Sequence, residues 1–551
     1  MGQHFIEKDI EMTILFRKER DVLFVNAPSR IAVYGELAKL AAVEPPVWAL
    51  MLAERCRCEG YKVGVLDAEA SGFSIEQTAE EINSRNPYLV VFCVYGQQPS
   101  ASTQCMPAAN AVAGMVDGHI ITAVLGTHPS ALPICTAEES HFGYVIKGTG
   151  IYPILQLLQG VPQENISNLW WRDDGKTKEG KGTFEPELST PLDQELPGQA
   201  WDLINLRWNV VGGRYRAHNW HLWTAQREIE AEIRDFHAYP TGRTRAIGGY
   251  ASVQTSLGCP FACTFCCINA PFGSPSIRYW SPRFVAQQIK TLFDTGVTNI
   301  KIPDEMFCLS RPHVLSICSE IMKQIGPHDA EKLNIWAYAR IDTVKDDEML
   351  LSMRRAGFRW LGIGIESGSE HVRDGVEKKG WTHQKIHDAV RRVQGAGIAV
   401  AANYIFGLPD DTLESMNQTL YMAKELNTEW ANFYCAMAYP GSALHRQATK
   451  EGWALPESPG GSGWIGYSQH AYESRPLDTA ALTYQQVLDF RDEAFHDYFG
   501  RGYYQNMIHE KFGAHAVEDV LRVLSLGKPL RKHREEMITV KLTDLRGGKD
   551  E

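Results

Sequence analysis

The chain has 551 residues, of which 44% are hydrophobic, so it is long enough for about two to four domains with ordinary cores. Its 55 lysines and arginines are outnumbered by 66 aspartates and glutamates, and the net charge of -11 argues against a nucleic-acid partner. We find no apolar window of membrane-span length and no signal-peptide pattern at the N-terminus, so we expect a soluble, cytoplasmic protein. In such a chain the twelve cysteines favour metal or catalytic chemistry over disulfides.

Residues 1–160 alternate short apolar runs with segments of helical length, which is typical of a doubly wound α/β domain with a parallel sheet. Five strands are predicted, which is the number in a flavodoxin-like fold. They are residues 21–26, 62–67, 88–95, 120–126 and 144–147. Ligands of such sheets bind at the carboxyl ends of the strands, so the loops that follow these strands are candidate binding loops.

Three further regions follow in the chain. Residues 161–249 lose the periodicity and predict a hairpin with an irregular linker. Residues 250–440 repeat a strand and a helix six times, which predicts a partial (β/α)6 barrel with its reactive groups at the C-terminal ends of the strands. Residues 441–551 are polar and predict a helical C-terminal cap over the barrel mouth. The candidate helices of that cap are 443–451, 483–499 and 517–526.

Cys259, Cys263 and Cys266 lie in one loop after the first predicted barrel strand. An iron–sulfur cluster normally has four thiolate ligands, so a loop with three leaves one iron open to another ligand. A structural zinc site needs four protein ligands and usually has two Cys-x2-Cys pairs. The spacing therefore favours an iron–sulfur cluster, and Cys267, which lies off this spacing, is expected to be a packing residue or a neighbour of the cluster and not a ligand.

This Cys-x3-Cys-x2-Cys spacing, with Phe265 before the last cysteine, resembles the radical S-adenosylmethionine (SAM) superfamily. The resemblance implies a [4Fe–4S] cluster whose open iron binds SAM, and an external electron donor such as flavodoxin or ferredoxin. It also implies SAM contacts in the cysteine loop and at the ends of the second, third and fourth barrel strands. These predicted contacts are Phe265, Asp304, Glu305, Arg340, Glu366 and Ser367.

Three of these residues, at the ends of two strands, carry an alternative. The sequence Pro303-Asp304-Glu305 departs from the Gly-Gly-Glu-like stretch that is common in the superfamily, which leaves the individual SAM contact open. Arg340 is expected to meet the SAM carboxylate with two hydrogen bonds, but an ordinary ion pair explains an arginine there equally well.

A flavodoxin-like domain before such a barrel resembles the cobalamin-binding domain of the B12-dependent radical SAM enzymes. The resemblance implies cobalamin contacts after the fourth and fifth strands, at Gly126, Thr127, His128 and Gly148. Other cobalamin enzymes supply a cobalt-ligating histidine from an Asp-x-His-x-x-Gly motif, which is missing here. We therefore expect no histidine on cobalt, although His128 is the nearest candidate.

The activity that this resemblance implies is transfer of a methyl group to an unactivated carbon of a small molecule, by way of a 5′-deoxyadenosyl radical and methylcobalamin. Two alternatives stay open. The first is an oxidative cyclase of the anaerobic magnesium-protoporphyrin monomethyl ester type, which uses the same cofactors. The second is a radical SAM enzyme whose N-terminal domain docks a partner and binds no cobalamin, because doubly wound domains bind many kinds of ligand.

Overall fold

The computed structural model describes residues 21–39, 41–95, 101–182, 190–206, 215–216 and 249–535. The N-terminal sheet has the strand order β2-β1-β3-β4-β5-β6-β7, in which the first five strands are parallel and β6 and β7 form an antiparallel hairpin. Its strands are β1 (Asp21–Asn26), β2 (Lys62–Asp67), β3 (Leu89–Val94), β4 (Ile121–Gly126), β5 (Tyr144–Ile146), β6 (Leu169–Asp173) and β7 (Lys176–Glu179).

Helices connect these strands and cover both faces of the sheet. They are α1 (Arg30–Tyr34), α2 (Val47–Cys58), α3 (Ala68–Ser71), α4 (Ile75–Arg85), α5 (Ala101–Ala113), α6 (Thr127–Ala131), α7 (Pro133–Glu139), α8 (Ile151–Gln159) and α9 (Leu192–Glu195). Every residue of β3 is buried, because a central parallel strand packs against helices on both faces. The five predicted strands are all present, and so is the predicted hairpin. Most of the predicted linker lies outside the described residues.

The second large sheet is a parallel half-barrel with the strand order β15-β14-β13-β12-β11-β8. Its strands are β8 (Gly249–Ser252), β11 (Val297–Lys301), β12 (Asn334–Arg340), β13 (Phe358–Glu366), β14 (Ala399–Phe406) and β15 (Trp430–Cys435). Its outer helices are α10 (Pro282–Asp294), α11 (Arg311–Ile325), α12 (Pro327–Ala330), α13 (Asp347–Arg355), α14 (Glu370–Gly375), α15 (His383–Gly395) and α16 (Leu413–Leu426). The six parallel strands agree with the partial barrel predicted from the sequence.

The sequence predicts a first barrel strand over residues 251–258, and the observed strand is shorter. The chain leaves the sheet after Ser252 and forms a two-stranded hairpin of β9 (Ser256–Leu257) and β10 (Arg278–Tyr279). The break coincides with Thr255 and Ser256, whose hydroxyls donate to the buried carboxylate of Asp304. The cysteine loop therefore starts from a hairpin held against the end of β11.

The C-terminal helices are α17 (Ala443–Glu451), α18 (Tyr484–Phe499), α19 (Gly502–Phe512) and α20 (Ala514–Ser525). α18 packs along the edge strand β15, and the cap over the barrel mouth stays a prediction for the C-terminal region as a whole. In α19, Phe512 stacks on Trp360 and Tyr504 donates to the carbonyl of Glu429. An uncovered edge strand exposes its backbone groups, and these helices cover it. Among the described residues, no helix combines the length and apolar character needed to cross a bilayer.

Candidate functional site

The cysteine loop follows β9 and is closed by one asparagine. The amide of Asn269 donates to the carbonyl of Phe261 at 3.1 Å and its side-chain oxygen accepts from the backbone N–H of Cys259 at 3.4 Å. Gly258 begins the loop with φ +85°, where a Cβ atom would lie 2.5 Å from the carbonyl oxygen of Ser276. Only glycine fits this close approach.

Cys259, Cys263 and Cys266 line one cavity of about 320 Å³ at the C-terminal ends of the half-barrel strands. Burial raises the pKa of the Cys259 thiol to about 11 and the pKa of Cys266 well above its usual value. Thiolates at these positions therefore need cationic partners, such as the irons of a cluster. Cys267 is buried beside them.

Asp304 and Glu305 have different surroundings although they are adjacent. The Asp304 carboxylate accepts from the backbone N–H of Thr255 at 2.9 Å and from the hydroxyls of Thr255 and Ser256 at 2.5 and 2.7 Å. Glu305 projects into the cavity, where no described residue forms a hydrogen bond with its carboxylate. Burial raises the pKa of Glu305 to about 7, against the opposing effect of Lys301 and Lys378. Asp304 thus shapes the hairpin, and Glu305 is the group available to a ligand.

Arg340 is held beside the cysteine loop at the end of β12. Its guanidinium lies 3.8 Å from the ring centre of Phe261 and 4.9 Å from that of Trp381, and it binds Asp342 through Nε and Nη2. Its remaining nitrogen, Nη1, lies 3.9 Å from Sγ of Cys263. The ion pair that the sequence left open is therefore present, and one edge of the cation faces the cysteines.

Glu366 ends β13 in a left-handed conformation, with φ +69°. Non-glycine residues adopt this conformation at a cost, and such strain is concentrated at functional sites. Its carboxylate pairs with Lys378 at 2.9 Å inside the cavity, and a Cβ atom on Gly364 would lie 2.4 Å from that carboxylate. Ser367 is fully buried, and its hydroxyl lies 3.1 Å from that of Thr419 outside the cavity lining. The position of the Ser367 side chain gives no support to its predicted SAM contact.

A second cavity, of about 170 Å³, lies at the carboxyl ends of the N-terminal strands and faces the cysteine loop. The two cavities share wall residues from both sheets, so they adjoin. The shared residues are Tyr34, Ala101, Gln104, Ile268, Pro303 and Glu305. A ligand at the edge of the N-terminal sheet would therefore lie next to a ligand of the cysteine loop.

Comparison with known proteins identifies the half-barrel. Residues 253–423 match the Radical SAM superfamily, a range that includes the three cysteines and the ends of β11 to β14. This part of the chain is a radical SAM domain. The superfamily predicted from the cysteine spacing is confirmed.

Sequence similarity to other proteins extends beyond this domain. An uncharacterised methyltransferase of Pyrococcus horikoshii is 25% identical over 449 residues, which are 78% of this chain and 83% of that protein. The anaerobic magnesium-protoporphyrin IX monomethyl ester cyclase of Rubrivivax gelatinosus is 25% identical over 424 residues, which are 74% of this chain and 67% of the cyclase. The similarity thus includes sequence on both sides of the radical SAM domain.

Two solved structures share the fold. The radical SAM methyltransferase TsrM from Kitasatospora setae, with cobalamin and a [4Fe–4S] cluster bound, has a TM-score of 0.60 and 17% identity, and the match covers 86% of this chain and 91% of TsrM. The cobalamin-dependent radical enzyme OxsB has a TM-score of 0.60 and 15% identity, and the match covers 97% of this chain and 81% of OxsB. At this identity the likeness establishes the fold.

Of the four residues predicted to contact cobalamin, only Thr127 lines the cavity in the described part of the chain. Gly126 is packed so closely that a Cβ atom would lie 2.1 Å from the carbonyl oxygen of Val94. A Cβ on Gly148 would lie 3.4 Å from the carbonyl oxygen of Pro271, a residue of the radical SAM domain. Gly126 therefore permits a close backbone approach, whereas a Cβ on Gly148 would make only an ordinary van der Waals contact.

His128 is 1% exposed and lies edge-on to Trp464, with the ring centres 4.5 Å apart. Burial lowers the pKa of His128 to about 3, so the imidazole is neutral at physiological pH. Its side chain is absent from the cavity lining, and its Nδ1 lies 3.3 Å from the hydroxyl of Thr103. His128 thus lies behind the cavity wall, and its absence from cobalt stays a prediction.

Sequence reasoning missed several cavity residues. Lys301 and Lys378 each stand in a radical SAM segment and pair with a carboxylate, and the position of Lys301 between Ile300 and Ile302 was a usable signal. The aromatic sequence Trp464-Ile-Gly-Tyr-Ser-Gln469 predicts a cavity lining, and Gln469 does enter the cavity together with its neighbour His470. Tyr34 enters from α1 of the N-terminal domain. No local pattern marks His470 or Tyr34, because distant parts of the chain bring them together.

Proposed function

We propose that this chain is a cobalamin-dependent radical SAM enzyme that transfers a methyl group to a carbon atom of a small molecule. The observation that carries the proposal is the junction of the two cavities at Tyr34, Gln104 and Glu305. Two cofactors that act on one substrate atom must meet at a shared space. Relatives named as methyltransferases and the fold shared with two cobalamin enzymes add support.

The residues present fit these cofactors. Cys259, Cys263 and Cys266 offer three thiolates, which suits a [4Fe–4S] cluster with one iron left for SAM. The second cavity has apolar walls from Val94 and Ala49 together with polar groups such as Gln104, a mixture that suits a large ring with amide side chains. When bound, the cluster and SAM supply one-electron chemistry and cobalamin supplies a methyl carrier. The electron comes from an external donor such as a flavodoxin or ferredoxin.

The chain's own charges would orient SAM. The Nη1 edge of Arg340 faces the cysteine loop and offers a donor to a carboxylate or to the cluster sulfurs. The free carboxylate of Glu305 is an acceptor for an ammonium group, and ligand binding there would favour its ionised form. The Glu366–Lys378 pair offers both an acceptor and a donor to a ribose.

The walls of the joined cavities would limit side reactions. Aromatic rings of Tyr34, Tyr434 and Tyr439 line the larger cavity. Such rings exclude water from the reacting groups. In this proposal residues 1–160 form the cobalamin-binding domain, residues 250–440 the radical SAM domain, and the segment with Gln469 and His470 closes the substrate side.

Binding of hydroxocobalamin tests the cobalamin assignment. Ala101, the first residue of α5, lines both cavities, whereas Ala111 on the same helix is exposed to solvent. We expect Ala101→Trp to weaken hydroxocobalamin binding at least tenfold in equilibrium dialysis, because the indole fills the shared space, and Ala111→Trp to bind like the wild type. Equal binding by both variants, or no binding by the wild type, would refute the assignment.

Isotope labelling tests the reaction. The cluster-loaded protein with cobalamin, reductant and CD3-labelled SAM should form 5′-deoxyadenosine and S-adenosylhomocysteine, and with the true substrate the CD3 group should enter the product. Formation of 5′-deoxyadenosine with a product that gains no methyl group would instead favour an oxidative cyclase. That second candidate has its own support in the similarity to the magnesium-protoporphyrin ester cyclase over 74% of this chain.

A further inference from the structure

Two histidines and a glutamate meet on the outer helices of the half-barrel, outside the linings of both cavities. His383 and His387 are one turn apart on α15, so their side chains lie on the same face of the helix. Glu425 is in the last turn of the neighbouring helix α16. Its carboxylate oxygens lie 3.0 Å from Nε2 of His383 and 3.3 Å from Nε2 of His387.

The spacing of these atoms matches a metal site. The two Nε2 atoms and a carboxylate oxygen all lie within 4.8 Å of one another. In a tetrahedral zinc site with bonds of about 2.0–2.1 Å, neighbouring ligand atoms are about 3.3 Å apart. Nε2 of His383 lies 3.0 Å from one oxygen of the Glu425 carboxylate and Nε2 of His387 lies 3.3 Å from the other, so each imidazole already stands at about this distance from the carboxylate.

The orientation of the rings adds a second observation. The imidazoles of His383 and His387 are stacked, with centres 4.8 Å apart and planes 21° from parallel, so both rings direct Nε2 toward the same carboxylate. Nε2 of His387 is shielded from solvent, and the nearby Glu425 oxygen lies outside hydrogen-bonding geometry. A buried ring nitrogen normally has a bonding partner, and a bound cation would supply one for Nε2 of His387.

We propose that His383, His387 and Glu425 bind a divalent cation of the zinc class, with a fourth coordination position open to water. Two imidazoles and one carboxylate favour Zn²⁺ over Mg²⁺ or Ca²⁺, which prefer sites made of oxygen ligands. The ion would clip α15 to α16, the helices before and after β14, and so stabilise the outer wall of the half-barrel. This site is independent of the cysteine loop and of the proposed reaction.

The test uses the cluster-loaded full-length protein and ZnCl₂ as the probe, in anaerobic calorimetric titration. The wild type is expected to bind one equivalent of Zn²⁺, and both His387→Ala and the double change His383→Ala with His387→Ala should weaken that binding at least tenfold. His515→Ala is the matched control, since His515 is an exposed histidine beside Glu518 on α20. It should bind Zn²⁺ like the wild type. Iron content, measured before and after titration, shows whether the cluster stays intact.

A second measurement identifies the ligands. Cu²⁺ added at one equivalent should give an electron paramagnetic resonance spectrum with splitting from two nitrogens in the wild type and from one in His387→Ala. If Zn²⁺ binds with equal affinity to the wild type and to the double variant, or does not bind to the wild type, the site is a His–Glu ion-pair cluster only and the proposal is wrong. Circular dichroism of the variants separates loss of binding from loss of folding.

Discussion

Lys301 on β11 and Glu44 before α2 form a buried ion pair between the half-barrel and the N-terminal part of the chain. Nζ of Lys301 lies 2.7 Å from Oε1 of Glu44, and the two side chains are only 3% and 8% exposed. The second carboxylate oxygen accepts from the hydroxyl of Ser252 at 3.0 Å. Glu44 lines the smaller cavity and Lys301 the larger one, so this pair fixes the walls of the two cavities relative to each other.

Removing one partner of this pair should destabilise the protein strongly. Lys301→Met leaves Glu44 buried without its cation, and we expect the free energy of unfolding to fall by about 3–5 kcal/mol. The double change Glu44→Gln with Lys301→Met should cost less than the sum of the single changes, because neither charge is then left alone. Urea unfolding followed by tryptophan fluorescence measures both effects.

The control for this prediction is Lys290→Met, which breaks the exposed pair between Lys290 and Asp294 on α10. Exposed pairs contribute about 0–1 kcal/mol, so this variant should unfold close to the wild type. If Lys301→Met unfolded like Lys290→Met, the buried pair would not join the two parts of the molecule.

Cluster binding should depend on the three loop cysteines and not on their neighbour. After anaerobic reconstitution the wild type should carry about four iron atoms per chain. Changing Cys259, Cys263 and Cys266 together to alanine should abolish iron binding, whereas Cys267→Ala, which alters a buried side chain off the motif, should retain it. Iron and sulfide analysis with the visible spectrum checks this, and a full cluster in the triple variant would disprove the assignment.

Arg340 should tune the reduction potential of the cluster, because its guanidinium lies 3.9 Å from Sγ of Cys263. A nearby positive charge stabilises the more negative, reduced form. Arg340→Gln should therefore lower the midpoint potential by on the order of 50 mV, which for one electron corresponds to about a tenfold change in the equilibrium constant. Redox titration followed by electron paramagnetic resonance gives this value.

Arg311→Gln is the matched control, since Arg311 pairs with Asp346 at the surface. Its potential should equal that of the wild type. An unchanged potential in Arg340→Gln, with iron content intact, would limit Arg340 to positioning SAM.

The stability of the C-terminal region should fall in acid because of Asp492 on α18. Burial disfavours ionisation of this carboxyl, but Arg491 and Arg531 outweigh that effect and hold the pKa of Asp492 well below its usual range. The carboxylate therefore contributes stability above the unfolded pKa of about 3.9, and this contribution is lost as the pH falls toward the folded pKa.

Asp492→Asn should lower the free energy of unfolding at pH 7 by about 3 kcal/mol or more, since it leaves two buried arginines without an anion. The gap between variant and wild type should narrow below about pH 4, because only the wild type loses an ionised carboxylate there. Urea unfolding at several pH values measures the gap. Asp117→Asn, at an exposed turn, should follow the wild type at every pH, and a gap for Asp492→Asn that stays constant would contradict the role of this titration.

The local sequence determined much of the fold. Strands such as Leu89–Val94 are continuous apolar runs because parallel strands are buried on both faces, and that pattern is readable without a structure. The cysteine spacing was equally readable, because three ligands of one cluster lie within a single loop. Strong local signals of this kind depend only on residues that are close in the chain.

The tertiary structure decided what distant residues do. The pairing of Lys301 with Glu44, the entry of Tyr34 into the cavity of the radical SAM domain, and the saturation of Asp304 by hydroxyls all depend on contacts between separate elements. Of the four helices after residue 441 in the described part of the chain, the sequence predicted three and missed Gly502–Phe512. Amphipathic periodicity shows that a helix buries one face but does not identify its partner, which for α18 is the edge strand β15.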